Sequence, residues 1–142
     1  MNLPNNLLNY LLTSANILNS KLLLTTLDKI IYYNDNFSYY TPVENYYNNY
    51  LNKEISLDLK KLIKEWEKSG EYKDNLFKIY NKETINILNN DSNKYFAQLV
   101  FPIYHNNCIS GLFICFRTSY DYIATSVKPA RTTRNFIEIM SK

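Results

Sequence analysis

Cysteine, histidine and glycine are scarce in this chain of 142 residues, with two, one and two copies respectively. So few thiols and imidazoles leave little from which to build a zinc site or an activated nucleophile. Cys108 and Cys115 fall seven apart in one expected strand, hence on opposite faces and about 23 Å from each other at ~3.3 Å per residue. They can neither form a disulfide nor share a metal, and both read as buried structural thiols. Gly70 and Gly111 alone provide no glycine-rich phosphate loop. No linker-like Ser/Gly stretch appears, and no run approaches the ~20 apolar residues that span a bilayer. The opening residues 1–6 lack the basic region and small-residue cleavage site of a secretory signal, so the expected location is cytoplasmic, away from any membrane. A net charge of +3 is too mild to indicate a nucleic-acid partner.

What the chain does contain is apolar and aromatic: 46% hydrophobic and 15% aromatic residues, well above the composition of a disordered chain. A domain of this length buries roughly 68–70% of its unfolded surface and needs no staple. One domain is expected, made of an N-terminal amphipathic helix over residues 1–20 and a body over 21–142. Asn and Tyr are frequent along the whole length, which reads as nucleotide bias of an AT-rich genome.

The hydrophobic pattern changes period along the chain. Leu7, Leu8, Leu11, Leu12, Ala15 and Leu18 recur at helical spacing after Pro4. Residues 21–26 and 29–33 are short β-type runs around Leu27 and Asp28, a strand pair joined by a turn. Residues 34–55 show no stable period beyond a helical turn expected near Glu44–Leu51. Ser56 then caps a second helix with an inner stripe of Leu59, Leu62, Ile63 and Trp66, an outer face of lysines, and Gly70 as its stop. Residues 75–81 and 83–88 read as a weaker strand pair, and Tyr95–Tyr104 and Cys108–Arg117 as the two strongest strands. A last helix over Ser126–Ser141 has Pro129 in its first turn and a stripe of Ala130, Thr133, Phe136, Ile137 and Met140. The expected fold class is α+β. It has an antiparallel sheet covered on both faces, the N- and C-terminal helices on one and the middle helix and loops on the other.

Several stretches occur in a characteristic order: Leu24-Thr-Thr-Leu-Asp-Lys-Ile-Ile-Tyr-Tyr; Tyr50-Leu-Asn-Lys-Glu-Ile-Ser; Gln98-Leu-Val-Phe-Pro-Ile with Ile109-Ser-Gly-Leu-Phe-Ile; and Arg131-Thr-Thr-Arg-Asn-Phe-Ile. Together, over about residues 20–142, they resemble the GAF-like C-terminal domain of the stage V sporulation protein T family. The resemblance implies a GAF/PAS-like antiparallel sheet of five to six strands, ligand sensing and dimerisation. The DNA-binding domain of those regulators has no counterpart in these residues, so direct nucleic-acid binding is not implied. Residues 71–95 depart most from the pattern.

The remaining chemistry-bearing residues read as non-catalytic. His105 lies in a turn with no nucleophile near it in sequence. Glu65, Glu67 and Asp121 have no spacing that aims two carboxylates at one substrate. Lys128, Arg131 and Arg134 lie three apart on the last helix and read as a solvent face, with phosphate or an acidic partner as the alternative. The six apolar positions of the first helix exceed what one sheet face usually takes. A symmetric homodimer through Leu7, Leu8, Leu11, Leu12, Phe136 and Met140 is therefore expected. Tyr32, Trp66 and Tyr80 are the candidates to line a small-molecule pocket between the sheet and residues 34–95. No cofactor and no metal are expected. Two functions stay open: a non-catalytic sensor module, dimeric and tied to transcriptional or sporulation-type regulation, and a purely structural interaction scaffold without ligand.

Overall fold

In a computed structural model, residues 3–18, 20–33, 51–69, 78–79, 84–89, 95–117 and 127–140 are described. The first helix, α1 (Asn5–Leu18), starts behind Pro4, whose carbonyl accepts the Leu8 amide at 3.0 Å. Strands β1 (Lys21–Thr25) and β2 (Ile30–Tyr33) pair antiparallel. The turn between them closes through the Thr26 amide, which donates to the Lys29 carbonyl at 2.8 Å. The Thr26 hydroxyl oxygen accepts the Asp28 and Lys29 amides, a local bonding pattern that favours threonine in turns.

The second helix, α2 (Leu57–Ser69), is capped as its sequence requires. The Leu59 amide donates to Ser56 Oγ at 3.2 Å, which satisfies one of the amides a helix start leaves unpaired. Ser56 Oγ in turn donates to the Asn86 carbonyl, and the Ser56 amide donates to Ile87 O at 2.8 Å, so the cap also ties α2 to the segment after residue 85. Leu59, Leu62, Ile63 and Trp66 are buried while Lys61, Lys64, Glu65 and Lys68 are exposed, as the periodicity predicts.

The two longest strands, β5 (Tyr95–His105) and β6 (Cys108–Arg117), form a hairpin with Asn106 and Asn107 as its turn. Both asparagines have positive φ, 52° and 64°, the conformation that a tight hairpin turn demands and that asparagine tolerates better than most residues. Two-residue strands β3 (Lys78–Ile79) and β4 (Thr84–Ile85) each pair antiparallel with β5. The reading of residues 75–81 and 83–88 as partners of one another is thus corrected: β5 offers a longer edge, and both segments lie along it.

β6 also pairs with β1, which sets the order β2-β1-β6-β5-β3, with β4 on β5 as well. The helix α3 (Val127–Met140) completes an α+β fold that has, among the described residues, three helices and an antiparallel sheet. Burial on the sheet is continuous rather than alternating because both faces are covered. One core joins α1 and α3 to the sheet through Leu7, Leu11, Ala15, Ala130 and Ile137 against Leu22, Phe101 and Phe113. The other joins α2 to the opposite face through Leu59, Ile63 and Trp66 against Leu23, Val100 and Phe116. Across the helix pair, Tyr10 stacks on Phe136 with centroids 4.0 Å apart, and the Thr133 hydroxyl donates to Ser14 Oγ at 3.3 Å.

Candidate functional site

The α1–α3 side of the sheet contains a cavity of about 290 Å³ beside the hairpin end. Its floor is apolar, with Leu24 of β1, Ile31 of β2 and Ile103 of β5, and Leu3 and Ile137 close it from the two ends of the chain. Polar groups ring it: Thr25 and Thr26 on one side, Tyr104, His105 and Ser110 on the hairpin, and Glu138 on α3.

The hairpin holds its place through a close backbone approach at Gly111. A Cβ built there would lie 1.8 Å from the Thr25 carbonyl oxygen, so glycine lets β6 meet the end of β1. The neighbouring Leu112 amide donates to Thr25 Oγ1 at 3.1 Å. Ser110 Oγ donates to the Ile103 carbonyl at 3.2 Å, next to a register shift between Ile103 and Tyr104.

Behind the α3 wall lies Arg134, which is fully buried. Its Nε lies 3.3 Å from Glu138 Oε1 and donates to Asn135 Oδ1 at 2.9 Å, while the guanidinium sits 5.7 Å from the centre of the Phe101 ring. Burial pushes the Arg134 pKa down and the adjacent Glu138 carboxylate opposes that shift. This is a correction to the reading of Lys128, Arg131 and Arg134 as one solvent face: Lys128 and Arg131 are exposed, and Arg134 points into the protein. The signal was present in the sequence, since Arg134 falls four residues after Ala130 and three before Ile137, on the apolar stripe itself.

The structure does not bring the expected pocket residues together. Tyr32 belongs to the core under α1 and α3, and Trp66 belongs to the core under α2, on the other face of the sheet. Tyr80 lies outside the described residues, as do residues 34–50. Trp66 packs with Leu59 and Ile63 in the core under α2, and the cavity lies on the other face of the sheet, while most of the 34–95 segment expected to wall a pocket lies outside the described residues. His105 is exposed, as expected for a turn residue, and its place at the cavity was not anticipated.

Leu7, Leu11 and Leu12 are buried within the chain's own fold, which removes the surplus that had pointed to an α1 interface at those positions. Leu8, Phe136 and Met140 are half-buried, and Ile17 and Ile139 are exposed. Of the two thiols, Cys115 is buried and Cys108 is exposed, so the reading of Cys108 as a buried thiol is corrected; it sits where β6 leaves the turn. Among the described residues, no group of three or more His, Cys, Asp or Glu side chains could hold a metal ion, and no helix is long and apolar enough to cross a membrane. No protein-family model matches the chain, nor does the sequence of any curated protein.

Proposed function

We propose that this chain is a non-catalytic regulatory module with GAF-like layering, in which a small molecule in the cavity is read out through the terminal helices. The observation that carries the reading is the origin of the cavity walls: Leu3 precedes α1, Ile137 and Glu138 belong to α3, and Leu24, Ile31 and Ile103 belong to the sheet. A ligand seated there touches both ends of the chain and the platform on which they dock. It binds the docked arrangement better than an undocked one, and that difference is what any population shift requires. The terminal helices over one face and α2 over the other support the kinship with GAF-like sensor domains.

A ligand screen by thermal shift, with hydrogen exchange as the second readout, tests this. A ligand present at 100 times its Kd adds about 2.7 kcal/mol of stability. Protection is expected to rise in α1 and α3 more than in α2. Filling the cavity by Ile103→Trp is expected to abolish the response in a chain that still folds. Ligand protection confined to α2 would overturn the reading.

Self-association through the outer surface of α1 and α3 is the proposed output. Leu11→Asp would unfold the chain because Leu11 is core. Leu8→Asp with Ile139→Asp is the informative change. Light scattering is expected to give a dimer for the parent chain and a monomer for this variant, and a monomeric parent at high micromolar concentration would remove the dimer.

A further inference from the structure

We infer that the cavity takes an uncharged small molecule, a compact apolar body that ends in one hydroxyl or carboxamide. The inference rests on the reading of the cavity as a ligand site and adds the class of ligand.

Size sets the first limit. About 290 Å³ is at the lower end of small-molecule pockets and about twice the ~150 Å³ apolar cavity known to admit benzene. A body of roughly ten heavy atoms fits that space. Leu24, Ile31, Ile103 and Ile137 supply an apolar surface for it.

Charge sets the second. The wall includes Glu138 and, among the described residues, no lysine or arginine. The Glu138 carboxylate is already committed. Arg134 Nε lies 3.3 Å from its Oε1, and Arg134 is fully buried, so the guanidinium charge has to be matched from within the protein. The pair leaves this wall close to neutral. An entering cation would compete with Arg134 for Glu138, and an anion would meet the carboxylate before the guanidinium behind it. Either ion would shed water over an apolar floor without gaining an unshared countercharge, a cost that a neutral molecule does not meet. His105 is exposed at the rim, where water and salt screen any charge it carries.

Hydrogen bonding sets the third. Thr25, Thr26, Tyr104 and Ser110 bring hydroxyls to the lining, and a hydroxyl both gives and accepts. Ser110 gives its proton to the Ile103 carbonyl at 3.2 Å and keeps an accepting oxygen. Thr25 Oγ1 accepts the Leu112 amide at 3.1 Å and keeps its proton. A rim that offers both directions suits a head that also does both. A hydroxyl or a carboxamide does so without charge.

Four probes with similar bodies and different heads test the inference. They are 2-phenylethanol and phenylacetamide, which are neutral at pH 7, and 2-phenylethylamine and phenylacetate, which are charged. Each is titrated and followed by calorimetry and by backbone NMR shifts. Both neutral probes are expected to bind about tenfold tighter than either ion, or more. Arg134→Met takes the partner from Glu138 and is expected to raise the amine's affinity about tenfold while leaving the alcohol's unchanged, with Trp66 fluorescence confirming that the variant is folded. The ranking in the parent chain needs no variant at all. Binding of either ion as tight as that of the neutral probes, or an amine affinity untouched in folded Arg134→Met, would overturn the neutral class while leaving the cavity as a ligand site. Failure of all four probes in the parent chain would overturn the class too. Shifts that persist in Ile103→Trp would show that the cavity is not where the probes bind, and the sensor reading would fall with them.

Discussion

Gly111 shows how much a single position can decide. The Thr25 carbonyl occupies the space a Cβ would need, and backbone on both sides leaves no flexible side chain to yield. Gly111→Ala is expected to cost about 3 kcal/mol or more by overpacking, measured as a lowered midpoint in chemical denaturation. Cys115 makes a different case. Burial raises its pKa well above the unfolded value near 9.0, so the folded chain holds the proton that the unfolded chain gives up. The sign follows: the stability this thiol contributes is complete well below pH 9, and above it stability falls with a slope that approaches about 1.4 kcal/mol per pH unit as the unfolded thiol finishes titrating. Subtracting the pH profile of Cys115→Ala from that of the parent chain isolates this slope between pH 9 and 10, and an absent difference would refute the burial argument. Arg134 is the residue whose type misled, because a basic side chain at helical spacing from Lys128 and Arg131 suggests solvent until its place on the stripe is counted.

Among elements, α2 was almost wholly legible. Its cap, stripe and charged face follow from Ser56 and a 3.6-residue period, and the buried set is the one the spacing names. Ser56→Ala removes the cap for Leu59 and the bonds to residues 86 and 87 lose one member. A loss of about 1–2 kcal/mol is expected in urea denaturation, and Ser56→Asp, which keeps a capping oxygen, should recover part of it. The β5–β6 hairpin was legible for another reason: two long apolar runs flank two asparagines, and Asn is among the few residues at ease with positive φ. Strands β3 and β4 fall inside the two runs read as strands, 75–81 and 83–88, so their type was legible, but their partner was not: both lie on the edge of β5, and pairing is set by tertiary contact rather than by local pattern.

At the scale of the whole molecule, one sheet supports two apolar cores, and the same strands wall both. Neither core persists once those strands part, so unfolding should be a single cooperative event. Leu11→Ala, on the α1 side, is expected to cost about 2–5 kcal/mol. The prediction is that it lowers the Trp66 fluorescence midpoint, which reports the opposite face, by as much as the far-UV circular dichroism midpoint. Separate midpoints would show that the two layers melt independently. The cavity belongs to this scale as well, since its walls come from segments more than 130 residues apart in the chain, Leu3 and Ile137 among them.

Sequence alone determined the three helices, the β1–β2 pair, the long hairpin and the two-sided cover of the sheet. Each of these depends on apolar spacing, caps and turn residues within a few positions of one another. Tertiary structure alone decided that Tyr32 and Trp66 face opposite ways, that Arg134 is buried beside Glu138, and that space is left on the α1–α3 side. Those outcomes depend on strand register and on which volumes fail to fill when helices settle on a sheet, and distant residues set both quantities together.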